Sequence, residues 1–168
     1  PEVILNQLYK HTQLQDTFGI ILLALVDGVP KIMPLKTVLN HFIDFRHEIV
    51  VRRTTYELEQ AEARAHILEG LKIALDNIDE VIAIIRGSKD PLQAKEGLMN
   101  GFNLSELQAQ AILDMRLQRL TGLEVEKVVE EYKELIKLIS HLKGILESKS
   151  QRMDIIKSEM IEIKNQYG

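Results

Sequence analysis

The stretch from Asn103 to Leu123, N-L-S-E-L-Q-A-Q-A-I-L-D-M-R-L-Q-R-L-T-G-L, is the part around which the rest of the chain is organised. Ser105 followed three residues later by Gln108 is the pattern of a capping box, in which each side chain bonds the other residue's backbone N–H at a helix start. Gly122 is placed to close the same helix in a left-handed turn. The pattern therefore predicts one helix of about four turns.

Two apolar faces run along that predicted helix when its residues are placed at about 3.6 per turn. One face holds Ala109, Leu113, Leu117 and Leu120. The other face holds Leu104, Leu107, Ala111 and Met115, and between the two lie Gln108, Arg116 and Arg119. One apolar face can pack on the flanking sequence, whereas the second is a candidate contact for another molecule.

Length and composition narrow the class of protein. The chain has 168 residues, which is the length of one domain or one long substructure. Hydrophobic residues make up 45% of it and aromatic residues only 5%, and this low aromatic content favours helix-on-helix packing. The net charge of −4 argues against bulk attraction to nucleic acid or an anionic membrane but leaves room for a local basic site. The absence of Cys excludes disulfide scaffolds and thiolate metal sites, and is compatible with a reducing cytosol.

Neither a signal peptide nor an apolar run of about 18 residues is found in the sequence. The chain opens with Pro1 inside an apolar pattern, so we expect a piece of a longer protein.

A β-hairpin is predicted near the start of the chain. The apolar runs Ile20 to Val26 and Val29 to Met33 flank Asp27-Gly28, a strong signal for a two-residue hairpin turn. Pro30 and Pro34 keep the second strand at an edge. Because an isolated hairpin is marginal in water, this one needs cover from helices or from further sequence.

Long helices follow the hairpin. Apolar spacing from Leu35 to Ile49 predicts a helix that begins well before the Arg52-Arg53 pair, with a bend near Val50. Alternating steps of three and four then predict an unbroken helix of about 50 Å from Val51 to Arg86, with Gly70 as its only interior glycine. Gly87-Ser88 ends that helix.

The remaining elements are also helical. Asp90-Pro91 predicts the start of a short helix that ends at Asn100-Gly101. After Gly122, apolar residues from Val125 to Leu146 again step by three and four, which predicts a helix returning along the first. A final helix is expected from about Gln151 to Asn165.

The predicted fold is mainly α, with a long antiparallel two-helix coiled coil that carries a small helical globule at its tip and has a short β-hairpin and helices at its base. We expect the boundaries 1–50 for the base, 51–87 for the outgoing helix, 88–123 for the globule and 124–168 for the returning and terminal helices. Two helices bury only their facing stripes. The second apolar face of the globule therefore favours self-association.

The globule also imitates a helix-turn-helix, which raises DNA reading as an alternative. A reading helix needs basic or amide side chains that enter the groove. Here the second helix opens with Glu106, and Lys95 of the first is balanced by Glu96. The sequence therefore favours an interaction globule.

Other candidate sites are better explained as solvated helix surface. Two clusters suggest metal binding, namely His41, Asp44 and His47, and Asp76, Asp79 and Glu80. In the first cluster the two histidines are six residues apart, and residues at that spacing do not share a helical face. The second cluster matches an ordinary acidic surface. Acidic residues alternate with the possible phosphate contacts Arg52, Arg53 and Arg64. We find no phosphate loop, nucleophile elbow or zinc spacing, so no catalytic, cofactor or metal residue is predicted.

Three segments carry a resemblance to a known family. A-E-A-R-A-H-I-L-E-G-L (Ala61 to Leu71), L-D-N-I-D-E-V-I-A-I-I-R (Leu75 to Arg86) and Q-A-Q-A-I-L-D-M-R-L-Q-R-L-T-G-L (Gln108 to Leu123) resemble the A subunits of bacterial type IIA topoisomerases. With L-Y-K-H-T-Q-L-Q-D-T-F-G-I (Leu8 to Ile20), the chain is more similar to the A subunits of DNA gyrase than to those of topoisomerase IV.

The resemblance implies a role in a larger machine. Residues 1 to about 50 would end the tower domain, and the rest would be the coiled-coil arm and the globular exit gate. In this family two such globules meet across a twofold axis and part to release the transported DNA duplex during ATP-dependent negative supercoiling. The resemblance implies that the partners are double-stranded DNA and a B subunit, which binds ATP and Mg²⁺. It also implies a cytoplasmic, chromosome-associated enzyme.

The family's DNA-cleaving Tyr directly follows an Arg, and no tyrosine here does so: the four pairs are Leu8-Tyr9, Thr55-Tyr56, Glu131-Tyr132 and Gln166-Tyr167. We therefore expect this chain alone to be inactive. The predicted dimer interface of the chain is built around Leu113, Leu117 and Leu120, with Met115, Arg116 and Arg119 near the rim. The sequence leaves open which of the two apolar faces meets the partner. The alternatives are a DNA-gripping arm, the equivalent segment of topoisomerase IV, and a structural coiled coil of an unrelated protein.

Overall fold

The computed structural model describes residues 2–115 and 122–168 of the chain, without the side chains of residues 122 and 123. The chain divides into two compact units, Pro1–Arg46 and His47–Gly168. Within the described residues it forms seven α-helices and one two-stranded antiparallel sheet. This confirms the predicted mainly α fold with a short hairpin.

The first unit contains helix α1 (Glu2–His11), strands β1 (Leu23–Val26) and β2 (Val29–Ile32) and the beginning of α2. Asp27 and Gly28 have φ values of 53° and 76°, as a two-residue turn of the hairpin type requires, so the predicted turn is confirmed. The strands are shorter than predicted, although the Met33 N–H still donates to the Leu22 carbonyl at 2.9 Å.

Helix α2 (Leu35–Asp76) is one element of 42 residues. It begins well before the arginine pair, as predicted, and remains helical through Val50. The predicted continuation to Arg86 is wrong, because α2 ends at Asp76 and a separate helix α3 (Ile78–Gly87) follows.

Asn77 separates α2 from α3. Its backbone has φ −127° and ψ 40°, outside the helical region, and its side-chain amide donates to the Ile73 carbonyl at 2.9 Å. An Asn side chain that bonds a nearby carbonyl competes with the helix for backbone partners. Val81 of α3, which follows the break, lies buried in the main hydrophobic core.

Helix α4 (Pro91–Phe102) starts as predicted, with the Asp90 carboxylate accepting the Gln93 N–H at 2.8 Å. It extends slightly past the predicted end and is closed by Asn103, whose φ of 53° is left-handed. Helix α5 (Glu106–Leu113) follows, and its predicted capping box between Ser105 and Gln108 is confirmed.

The prediction that α5 continues to a closing turn at Gly122 is wrong. Helix α5 ends at Leu113, Asp114 and Met115 lie outside it, and Gly122 instead begins the next helix. Residues two apart on a helix point about 200° away from each other. By leaving the helix after Leu113, the chain packs both Leu113 and Met115 against the same core.

Helices α6 (Gly122–Glu147) and α7 (Lys149–Tyr167) return along α2. Ser148 separates them and caps α7 by accepting the Gln151 N–H. Ion pairs tie α2 to the returning helices in antiparallel order, namely Arg53–Glu159 at 2.8 Å, Lys143–Glu62 at 2.8 Å and Arg64–Glu131 at 2.8 Å. The predicted antiparallel arm, with its final helix, is therefore confirmed.

Candidate functional site

The candidate site is the globule at the far end of α2, which we define as α3, α4 and α5 with the parts of α2 and α6 that pack on them. One hydrophobic core joins these five elements. Its buried members are Leu68, Leu71, Ala74, Val81, Leu98, Leu104, Ala109, Ile112 and Val128. The ends of the arm helices thus close a core that the short helices could not form alone, since isolated helices of this length are marginal in water.

Helix α4 approaches α3 through two glycines. A Cβ atom built on Gly97 would lie 2.8 Å from Ile84 Cγ2, and one built on Gly101 would lie 3.3 Å from Ile84 Cδ1. Gly97 and Gly101 are four residues apart and therefore share one face of α4. The Ile84 side chain occupies the space that the two missing side chains leave.

An ion pair links α4 to α5. Lys95 Nζ lies 2.6 Å from Glu106 Oε1, and the Lys95 side chain is only 17% exposed. The hydrogen bond from Lys95, together with its charge, lowers the pKa of the Glu106 carboxyl. The acid that opens α5 thus pairs with a lysine in the middle of α4, across the turn of this helix-turn-helix look-alike.

A polar contact joins α5 to α2, in which Gln108 is buried, Ser105 is half-buried and His66 is exposed. The Gln108 side chain is 5% exposed, and its amide oxygen accepts the Ser105 N–H at 2.9 Å. Its amide nitrogen donates to the His66 carbonyl at 2.8 Å and lies 3.3 Å from His66 Nδ1. Ser105 Oγ lies 2.7 Å from His66 Nε2 and accepts the Gln108 N–H. We call His66, Ser105 and Gln108 the amide latch.

Gly70 makes the amide latch possible. A Cβ atom on Gly70 would lie 2.6 Å from both Cβ and Cγ of Gln108, a distance that real contacts do not show. His66 and Gly70 are four residues apart, so they stand on the same face of α2. The aliphatic part of Gln108 therefore lies on the glycine while its amide reaches the His66 carbonyl.

The described part of the predicted interface lies at the edge of this globule. Leu113 and Met115 are partly buried and pack against the core, and both retain some exposed surface. Leu113 and Asp114 also line a cleft of about 470 Å³ between α3, α4 and α5. Leu117, Leu120, Arg116 and Arg119 lie outside the described residues. The assignment of all six to a dimer interface stays a prediction.

The two predicted apolar faces do not stay separate in the fold, because members of both pack in the same core. Ala109 and Leu104 are buried as core residues, whereas Leu107 is 70% exposed. Gln108, placed between the faces by the sequence, is buried instead. The signal that could have indicated this contact is Gly70, since a glycine inside a long helix often marks a close approach by another element.

The three arginines considered as possible phosphate contacts each pair with a carboxylate of the arm. Arg52 pairs with Glu48, and Arg53 pairs with Glu159. Arg64 donates to both carboxylate oxygens of Glu131, at 2.8 and 3.0 Å. The hydrogen bond and charge of Glu131 raise the pKa of the Arg64 guanidinium above its usual value.

Next to Arg64, an apolar groove of about 480 Å³ runs between α2 and α6, lined mainly by Ala61, Leu135, Leu138, Leu142 and Tyr56. Across residues 2–115 and 122–168, no group of three or more His, Asp or Glu side chains could hold a metal ion. No helix in the same ranges is long and apolar enough to cross a membrane.

Comparison with known proteins identifies clear relatives. The family of DNA gyrase/topoisomerase IV A subunits matches residues 1–161. The chain is 61% identical over 166 residues to the DNA gyrase A subunit of Clostridium acetobutylicum, covering 99% of this chain and 20% of that protein. It is 57% identical to the Halalkalibacterium halodurans protein of the same name, also over 99% of this chain and 20% of the relative. The corresponding Helicobacter pylori protein is 52% identical with the same coverage. The chain thus spans about a fifth of the length of these relatives.

Proposed function

Because the chain belongs to the family of DNA gyrase/topoisomerase IV A subunits, we propose that it is the arm and exit-gate dimerisation segment of a DNA gyrase A subunit. In this proposal two copies of the globule meet across a twofold axis and hold two A subunits together. They separate to let a transported DNA duplex leave. The whole enzyme would pair these subunits with B subunits that bind ATP and Mg²⁺, and would supercoil chromosomal DNA in the cytoplasm.

The observation that carries the proposal is the position of Leu113 and Met115. Both lie at the edge of a globule closed by the ends of the arm helices, and the core covers them only in part. They lead directly into Leu117 and Leu120 in the sequence. Partly exposed apolar side chains at the end of a two-helix arm are suited to an isologous contact with a second copy.

The proposed gate must close firmly and still open. Apolar burial contributes about 25 cal/mol per Å², while association costs at least about 4 kcal/mol. An apolar patch of several hundred Å² per copy therefore gives a contact that holds at rest and can be broken by work done elsewhere in the enzyme. A small interface on a slender arm meets both requirements.

In this proposal the residues that cleave DNA lie in other parts of the whole protein. None of the four tyrosines directly follows an arginine, so we propose that this chain by itself neither cleaves nor supercoils DNA. Its contribution to the reaction would be mechanical.

Charge substitutions test the assignment of the interface. We expect Leu117→Asp or Leu113→Asp to convert a dimer of the chain to monomer in sedimentation velocity, because a dimer would have to bury the new carboxylate. Leu92→Asp is the matched control, since Leu92 is 66% exposed on α4 and outside the predicted interface. A dimer that persists in both interface variants would contradict the assignment. Monomer from Leu107→Asp alone would move the interface to the opposite face of α5.

The topoisomerase IV equivalent is the second candidate, because the matching family includes both enzymes. The Clostridium, Halalkalibacterium and Helicobacter relatives are all named as gyrase A subunits, which favours the first candidate. Exchange of this segment into the A subunits of a gyrase and of a topoisomerase IV would separate the two. Restored supercoiling in the gyrase hybrid is the expected result, and activity only in the topoisomerase IV hybrid would contradict it.

A DNA-gripping arm is the alternative of a different class. The ion pairs of Arg52, Arg53 and Arg64 with Glu48, Glu159 and Glu131 favour a solvated arm surface over phosphate contacts. A filter-binding titration of the chain with duplex DNA is expected to give no salt-sensitive retention. Strong binding at low salt that falls steeply as salt rises would support gripping.

A further inference from the structure

We propose that Gln108 is a positioning residue for the dimer interface and acts through the amide latch that it forms with His66 and Ser105. This inference rests on the proposed function above, since it concerns how the globule presents the predicted interface. It adds to that function a specific contact that holds α5 in one orientation on α2 and so positions the predicted interface.

Helix α5 needs such a contact because it is short. It has only eight residues, Glu106–Leu113, and a helix of this length has little stability of its own. Its buried side chains are Gln108, Ala109 and Ile112. The apolar contacts of Ala109 and Ile112 are not directional, so they permit small rotations and slides of α5. The hydrogen bonds of Gln108 are directional and therefore select one placement.

The amide latch ties α5 to α2 with little freedom. Gln108 donates to a backbone carbonyl of α2 at 2.8 Å, and its stem lies directly on Gly70 of the same helix. At the other end its oxygen accepts the Ser105 N–H at 2.9 Å, which holds the first turn of α5 to the same side chain. A neutral His66 protonated on Nε2 satisfies both of its contacts, donating to Ser105 Oγ and accepting from the Gln108 amide.

The choice of glutamine is informative. Burying an amide costs more free energy than burying an apolar side chain of the same size, unless the amide makes its hydrogen bonds. In Gln108 both the amide oxygen and the amide nitrogen are hydrogen-bonded. Satisfied buried polar networks specify one arrangement of a core more sharply than apolar packing does. Gln108 therefore contributes geometry in a place where an apolar residue would contribute only burial.

The geometry that the amide latch fixes is that of the predicted interface. Leu113 lies five residues after Gln108 on the same helix, about 7.5 Å further along its axis. Met115 lies two residues beyond the end of the helix. A rotation of α5 about its axis would move Leu113 and the chain that continues into Leu117. Two copies can pair only if both present the same placement, so loosening α5 weakens the dimer.

The test compares dimer dissociation constants by sedimentation equilibrium at a temperature where circular dichroism shows every variant folded. Gln108→Met keeps the length of the side chain and removes the amide. We expect it to weaken the dimer by about tenfold, because pairing would then have to order the loosened α5 in both copies. Ile156→Val, a buried position on α7, is the control for general destabilisation and should leave the constant within about twofold.

The outcomes separate a failure of the inference about Gln108 from a failure of the proposed function. If Gln108→Met dimerises like the wild type while its unfolding midpoint falls as in Ile156→Val, Gln108 is only structural and the inference is overturned. If the wild type itself is a monomer, the proposed function fails instead. If Gln108→Met does not fold, Ser105→Ala decides, because it removes the hydroxyl contacts with His66 and the Gln108 N–H and keeps the amide. Its dimer should be weaker than that of the wild type, and an unchanged constant would overturn the inference.

Discussion

At the scale of single residues, glycines decide where the helices of the globule meet. Gly70 admits the Gln108 side chain, while Gly97 and Gly101 admit Ile84. Each of these positions lies inside a helix, where glycine costs about 0.5–1 kcal/mol relative to alanine. Their presence is explained by the contacts that a Cβ atom would prevent.

Gly70→Ala is the sharpest test at this scale. The new methyl would overlap Gln108 Cβ and Cγ, so we expect a loss of about 1–3 kcal/mol in unfolding free energy, as found for overpacked cores. Denaturant unfolding followed by circular dichroism measures it. Gly144→Ala is the matched control, because the nearest atom to its Cβ is 3.7 Å away, and it should gain up to about 1 kcal/mol in helix propensity. Equal effects of the two substitutions would contradict the close approach at Gly70.

At the scale of elements, local signals predicted where helices begin but not always where they end. The caps at Asp90 and Ser105 and the Asp27-Gly28 turn were readable because each depends on residues a few positions apart. The break at Asn77 and the end of α5 at Leu113 were missed because both serve packing in the core, which apolar spacing along one helix does not encode. The burial of Gln108 was missed for the same reason, since its partner His66 is 42 residues away.

The ion pair between α4 and α5 predicts a pH dependence of stability. Lys95 lowers the pKa of Glu106 from an ordinary value of 4.5, so the stabilisation is complete above that value and is lost as the pH falls through the lowered pKa. We expect Glu106→Gln to lower the Tm near neutral pH and to differ progressively less from the wild type as the solution is acidified below pH 4.5.

Thermal unfolding from neutral to acidic pH provides the measurement. The control compares Glu106 with Glu106→Gln in a Lys95→Gln background. There the difference in Tm should shrink, because the cation is gone. A difference in Tm between the wild type and the Glu106→Gln variant that grows on acidification would contradict the ion pair.

At the scale of the whole unit from His47 to Gly168, the arm and the globule share one hydrophobic core. The ends of α2 and α6 supply core residues to the globule, and ion pairs along α2 hold the returning helices in place. Heptad spacing and capping patterns were sufficient to predict an antiparallel arm with a helical globule. The face that the globule presents depends on the placement of α5, which distant contacts determine.

The proposed function requires two globules to meet, so the mass of the chain in solution is the most direct test. Sedimentation equilibrium of the 168-residue chain across the micromolar range is expected to give a species of twice the 19.2 kDa of one chain, in reversible exchange with monomer at the lowest concentrations. A single species of 19.2 kDa throughout that range would contradict the account.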